Sequence, residues 1–180
     1  ELTVVDKEFF MIEEVTATNV ICYGEDNGTI SIITSGGSSG LFYSIDGLDY
    51  TNTTGQFTGL APGNYTVSVK NTNDCLLTWS TTIVITEPAV LKIDNVLSTD
   101  VIGCYGYSNG SIEIIASGGT PNYYYSIDGG ASFHTNHVFE DLAAGDYEVI
   151  IVDVNGCQTN WATTITINQP DAINYIGMGT

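Results

Sequence analysis

The chain repeats itself. Cys22-Tyr23-Gly24 returns as Cys104-Tyr105-Gly106, an offset of 82 residues (22 to 104). The same offset carries Tyr43-Ser44-Ile45-Asp46-Gly47 onto Tyr125-Ser126-Ile127-Asp128-Gly129, and Leu60-Ala61-Pro62-Gly63-Asn64-Tyr65 onto Leu142-Ala143-Ala144-Gly145-Asp146-Tyr147. Cys75, Trp79 and Pro88 likewise return as Cys157, Trp161 and Pro170, and nearly half of the positions from Cys22 to Pro88 are identical without a gap. Phe9 and Met11 pair by the same count with Leu91 and Ile93, then with Ile173 and Tyr175. Length alone would suggest one domain. The repeat instead requires a core in each copy, giving residues 1–88 and 89–170 as two domains and 171–180 as the first strand of a truncated third.

Within each copy the apolar period is two. Ile30 and Ile32 alternate with Thr29 and Ser31, and Tyr65, Val67 and Val69 alternate with Thr66, Ser68 and Lys70. Such stretches are half-buried strands. Turn signals separate them: Asn27-Gly28, Gly36-Gly37, Asp46-Gly47, Pro62-Gly63, Asn73-Asp74 and Asn155-Gly156. Asp6 to Glu14 could be mistaken for a helix, but its counterparts alternate, so a strand is expected. Six or seven short strands per copy predict an all-β chain of two tandem immunoglobulin-like antiparallel β-sandwich domains. Leu60, Gly63 and Tyr65 fit the corner in which a Tyr hydroxyl bonds back to upstream backbone. Trp79 and Trp161, four residues after a Cys, are placed to cover a disulfide at one end of the core.

Charge narrows the function. Asp plus Glu number 21, Lys plus Arg 3, and the formal net charge is -18. Phosphate backbones need Lys and Arg to release counter-ions, so nucleic acid is excluded as a partner, as is electrostatic docking on anionic lipid. The longest apolar stretches, such as Val149 to Val152, are far short of the roughly 20 residues that span a bilayer as a helix, so no membrane insertion is expected. The chain opens on Glu1 rather than Met, as a piece cut from something longer would.

In order and spacing, Cys-x-Gly, Asn-Gly-x-Ile, Gly-Gly, Tyr-Ser-x-Asp-Gly, Leu-Ala-x-Gly-x-Tyr-x-Val, Asn-x-Cys and a closing Pro resemble the SprB-type repeats of very large surface adhesins in gliding Bacteroidetes bacteria. The copies depart from each other at Ser38-Ser39-Gly40 against Thr120-Pro121-Asn122, and at Asn73-Asp74-Cys75 against Asn155-Gly156-Cys157. The resemblance implies export by type IX secretion, display on the outer face of the outer membrane, and a place in filaments that grip substrata during gliding motility. Surface polysaccharide or substratum is the implied partner class, together with neighbouring repeats of the same chain.

No enzyme is expected. His134 and His137 face Asn52 and Gly55 in the first copy and have no third ligand nearby, so they read as ordinary loop histidines. No nucleophile elbow supports a Ser-His-Asp triad, and no Gly-rich phosphate motif is present. Lys70 corresponds to Val152, which rules out a shared isopeptide crosslink. Asp153-x-Asn155-Gly156 is half of a calcium loop, but the same residues build hairpin turns. Phe42 and Tyr124 lie on the parity opposite Tyr43 and are candidate ligand contacts: exposed aromatics stack on sugars in a lectin-like module, or pack across strands, which is the simpler reading. A spacer with a presenting surface and a glycan-binding module are thus the two readings carried forward.

Four cysteines allow three pairings. A repeat is expected to carry its own bond, Cys22–Cys75 and Cys104–Cys157, oxidised at the cell surface. Each would stabilise its copy by about 4 kcal/mol in the chain-entropy model. The pairing requires an even number of strands between Gly28 and Asn71. Four are counted, with one strand between Ile45 and Tyr65; a further strand there would set the cysteines at opposite ends.

At the junction, Glu87-Pro88 and Gln169-Pro170 close each copy about three residues before the next strand, which predicts a restricted angle and an elongated monomer. No cofactor is required. Calcium is the one candidate, at Glu87, Asp94 and Asn95 with Asp141 and Asp146, because it accepts irregular sets of oxygens. A diffuse cloud of counter-ions is the simpler alternative.

Overall fold

A computed structural model describes residues 9–37 and 40–174. Among them every regular element is a β-strand, so the all-β reading holds. The chain divides into two compact units between Glu87 and Pro88. The expectations resting on Ser38, Ser39 and Tyr175, and on Asp6 to Glu8, lie outside the described residues. Residues 171–174 form no strand.

Unit 1 holds β1 (Phe10–Thr18), β2 (Gly28–Gly36), β3 (Leu41–Ser44), β4 (Gln56–Leu60), β5 (Gly63–Tyr65), β6 (Ser68–Asn71), β7 (Leu76–Thr78) and β8 (Ile83–Ile85). Unit 2 repeats them as β9 (Lys92–Thr99), β10 (Ser108–Ser117), β11 (Tyr124–Ser126), β12 (Val138–Ala143), β13 (Gly145–Tyr147), β14 (Ile150–Val152), β15 (Gln158–Asn160) and β16 (Ile165–Ile167). The sheets correspond one to one: β1-β2-β4, β3-β6-β7 and β5-β8 in the first, β9-β10-β12, β11-β14-β15 and β13-β16 in the second. All of these pairs are antiparallel.

Alternation along β2, and from Val67 into β6, sends Ile30, Ile32, Val67 and Val69 inward. There they meet Phe10 from β1, Val20, Tyr43 from β3 and Ile85 from β8 in one buried cluster that joins the sheets. Ile112, Ile114, Val149, Ile151 and Ile167 are the buried counterparts in unit 2. Each unit is therefore an antiparallel β-sandwich of immunoglobulin-like type. The expected corner is present twice: the Tyr65 hydroxyl donates to the Ala61 carbonyl at 2.7 Å, and Tyr147 to Ala143 at 2.9 Å.

Two local expectations are corrected. The offset in the opening strand is 81, not 82. Val15 pairs with Ile32 and Val96 with Ile114, so Phe10, not Phe9, corresponds to Leu91. Phe10 and Leu91 are buried, whereas Phe9 is 76% exposed. Gly103, at φ 97°, is the extra residue of the second copy, and a one-residue slip exchanges the two faces of a strand.

The second correction concerns the path. Between Ile45 and Tyr65 the chain makes two legs rather than one strand. It turns at Asp46-Gly47 and returns beside β3, where the Tyr43 N–H donates to the Asn52 carbonyl at 2.8 Å. It then turns again at Gly55 and runs as β4 along β2. In unit 2 the return leg bridges Tyr125 and His134 and β12 follows. The number of passes is thereby odd. Each unit is entered at one pole, beside Gly36 or Ser117, and left at the other, beside Gly63 or Gly145. The same-pole termini implied by an even strand count do not occur.

Candidate functional site at the poles of each repeat

The two cysteines of a repeat occupy these two poles. Cys22 precedes β2 in a loop at the exit pole. There the Gly24 N–H donates to Glu87 Oε2 at 2.8 Å, and the Val20 N–H to the Thr86 carbonyl. The Cys104 loop is fastened alike: the Gly106 N–H donates to Gln169 Oε1 at 2.9 Å, and Val101 to Asn168. Glu87 and Gln169 are thus loop anchors.

Cys75 and Cys157 sit at the entry pole, in the turn after β6 or β14. The organiser of that turn is a buried polar residue. Asn71 Oδ1 accepts the N–H groups of Asn73 and Cys75, each at 3.0 Å. Asp153 Oδ1 accepts those of Asn155 and Cys157, each at 2.9 Å. Asp153 Oδ2 also accepts the Thr120 N–H at 2.8 Å, and next to it the Gly119 N–H donates to the Ala89 carbonyl. Asp153 is a turn organiser, so the half-calcium-loop pattern is explained by backbone hydrogen bonds.

Cys75 and Cys104 are free, exposed thiols, while Cys22 and Cys157 are disulfide-bonded. The expected Cys22–Cys75 and Cys104–Cys157 bonds are therefore not formed. The physical reason is the extra leg between Ile45 and Tyr65. Strands rise about 3.3 Å per residue, so a nine-residue β2 separates the poles by roughly 25 Å. A disulfide joins Cα atoms no more than about 7 Å apart. Trp79 consequently has no Cys75 disulfide to cover and packs against the hydrophobic cluster of unit 1 instead.

A second polar device closes the β3 turn. Ser44 and Ser126 are fully buried. The Ser44 hydroxyl donates to Asp46 Oδ1, which also accepts the Leu48 and Asp49 N–H groups. The Asp49 and Leu48 N–H groups, then the Ser44 hydroxyl, hold the Asp46 carboxyl below its ordinary pKa. At Asp128 the Ser132 hydroxyl, then that of Ser126, and the Ser132 N–H depress it strongly. Sequence reading saw only turns here, because an inward Ser or Asn carries no apolar signal.

The ligand candidates are not equivalent. Phe42 lies opposite Lys70 on β3 and is half-buried. Tyr124 lies opposite Val152 and is 40% exposed. The His134 ring packs edge-on against Phe139, and His137 Nε2 lies 3.9 Å from Glu113 Oε1. Lys70 Nζ stands over the Tyr50 ring and 3.5 Å from Asp74 Oδ1. Each calcium candidate has a local role. Asp94 is the β9 bulge residue and pairs with Lys92 Nζ at 2.7 Å; Lys92, then Ser117, lowers its pKa. Asn95 accepts the Val96 N–H, and Asp146 the Thr166 hydroxyl at 2.7 Å. Asp141 holds the left-handed position occupied by Gly59 in unit 1. Among the described residues no three His, Cys, Asp or Glu side chains form a metal-sized group, and no helix is long and apolar enough to cross a membrane.

Two segments, residues 15–49 and 98–132, match the family model of the SprB repeat. No curated protein matches the chain. One similar solved structure is the C-terminal 282-residue fragment of intimin in complex with the intimin-binding domain of the translocated intimin receptor. It is 18% identical with a TM-score of 0.42, over 89% of this chain and 64% of that fragment.

Proposed function

We propose that this pair of SprB-type repeats is a non-catalytic segment of a large cell-surface adhesin, one that extends the molecule and presents a surface rather than turning over a substrate. The observation that carries this reading is the passage of the chain through each sandwich from one pole to the other. A unit entered and left at opposite poles adds length each time it is repeated, without enlarging any single core. The family resemblance supplies the setting: a bacterial outer surface reached by type IX secretion, in a filament used for gliding and attachment. Neighbouring repeats are its immediate partners, and the isolated segment is a monomer.

Tyr124 favours a second reading, because an exposed aromatic on a sheet face is a sugar-stacking surface. A glycan array probed with the wild type and with Phe42→Ala/Tyr124→Ala separates the two. The spacer reading expects no aromatic-dependent binding. Saturable binding lost in the double variant replaces it with a glycan-binding module. In the surface protein that carries these repeats, in-frame deletion of one 82-residue unit should leave display and attachment intact. Loss of attachment from that deletion would place the ligand site in the repeat itself.

A further inference from the structure

We propose that unit 2 carries a binding site for one neutral pyranose ring, in the cavity bounded by Glu148, Gln158 and Asn160.

The cavity has a volume of about 340 Å³ and is lined by Glu148, Ile150, Gln158, Asn160, Thr163 and Thr164 among others. Ligand pockets run from about 300 to 1,000 Å³, so this one has room for a single ring. Strand register gathers its polar groups. Ile150 lies opposite Asn160 and Val152 opposite Gln158, while Val149 and Ile151 are buried. Glu148, Ile150, Gln158 and Asn160 therefore share the outward face of the sheet. The backbone beneath them is fixed: the Gly129 N–H donates to the Glu148 carbonyl at 3.1 Å, and the Trp161 N–H to the Val149 carbonyl at 2.9 Å. Among the described residues the Gln158 amide and the Glu148 carboxylate have no hydrogen-bond partner, and Asn160 Nδ2 reaches only the Trp161 carbonyl, at 3.5 Å.

The lining selects the ligand. A carboxylate only accepts hydrogen bonds, whereas amides and Thr hydroxyls both donate and accept. Sugar hydroxyls meet both needs, and two adjacent ones can donate to the two oxygens of Glu148. Ile150 offers the C–H face of the ring an apolar contact. With no Lys or Arg in the lining and a chain charge of -18, uronates and sulfated sugars are repelled, which leaves neutral ones. Tyr124 extends the site. It lies opposite Val152, which lies opposite Gln158, and strands are spaced about 4.8 Å apart, so Tyr124 stands roughly 10 Å from Gln158, placed to take further rings of a longer glycan.

The first repeat supplies the contrast. At the matching positions it has Thr66, Leu76 and Thr78 for Glu148, Gln158 and Asn160, while Trp79, Thr81 and Thr82 match Trp161, Thr163 and Thr164. The sandwich thus forms without the polar set, which belongs to unit 2.

The proposal rests on the glycan-binding reading. Its test titrates the ¹⁵N-labelled full chain, followed by NMR, with the methyl glycosides of glucose, mannose, galactose and N-acetylglucosamine, and with methyl galacturonide as the charged comparison. At least one neutral glycoside should give saturable shifts between Glu148 and Thr164, and the galacturonide none. Gln158→Leu/Asn160→Thr installs the residues of the first repeat and should weaken binding about tenfold, with the urea midpoint of unit 2 unchanged. Glu148→Gln, of the same shape, should weaken it as well. Shifts that survive these changes, equal shifts from the galacturonide, or none from any neutral glycoside would overturn the site. On the glycan array, binding that resists Gln158→Leu/Asn160→Thr and disappears with Tyr124→Ala overturns the cavity site and leaves the glycan-binding reading standing. No binding in either assay removes both.

Discussion

Gly118 is where a single methyl group should do the most damage to unit 2. Its φ is +77°, a region in which an L side chain costs about 1–2 kcal/mol. A Cβ there would also overlap the carbonyl of Val90, which is backbone and cannot swing away. Relief requires the entering segment to move. That movement strains the bond from the Gly119 N–H to the Ala89 carbonyl, 2.8 Å long and worth about 1 kcal/mol. It also lifts Leu91, 8% exposed, whose complete burial is worth about 1.5–3 kcal/mol. Partial loss of that burial brings Gly118→Ala to about 3–5 kcal/mol. Gly156→Ala is the control: φ is +86° with nothing within 4 Å of the new Cβ, and the first repeat already places Asp74 there at φ 56°. It should cost only the conformational part, about 1–2 kcal/mol. Because each unit holds one tryptophan, Trp79→Phe leaves Trp161 as the reporter of unit 2 in urea unfolding. Coincident midpoints for the two alanine variants would refute the steric reasoning, since both share the positive φ.

Tyr65→Phe and Tyr147→Phe each remove one corner hydrogen bond and should each cost about 1 kcal/mol in their own unit, read by the tryptophan of that unit; loss of both units from either change would show coupling that the corners do not provide. Asp128 has a folded pKa below its ordinary value, so its contribution is complete above about pH 4 and fades as pH falls toward the depressed value. Asp128→Asn should therefore flatten the acid side of the stability profile, and an unchanged acid slope would remove Asp128 from the account. Asp94 and Asp146 are engaged by Lys92 and Thr166 and Glu87 by Gly24, so calcium and magnesium should raise the melting temperature equally, by screening. A selective rise with calcium would restore an ordered site.

The cores were legible because Ile30, Ile32, Val67 and Val69 alternate strictly and recur unchanged in type or nearly so. The corners were legible because Leu-x-x-Gly-x-Tyr names its own geometry. The path was not, and one segment accounts for most of the error. Residues 46–60 form two short legs rich in Thr, Asn and Gly, in which Phe57 and Leu60 are the hydrophobics packed on the core cluster, so there is too little alternation to mark a reversal. Miscounting that reversal placed Cys22 and Cys75 at one pole and assigned them to each other. The slip at Gly103 had the same character: a gap-free match from Cys22 onward conceals a one-residue insertion just before it. At the poles, Asn71, Asp153, Ser44 and Ser126 are polar residues that build turns from within, and periodicity reads such positions as solvent.

Opposite-pole entry and exit also fixes how a unit bears load. A pull between its two ends acts along the strands rather than across them. The long ladder between β1 and β2 is then strained in shear, with its hydrogen bonds loaded together, whereas same-pole termini would let those bonds break singly, like the teeth of a zip. Resistance of this kind is set by the unfolding rate rather than by equilibrium stability, so even a modestly stable sandwich of this topology can withstand a sustained pull.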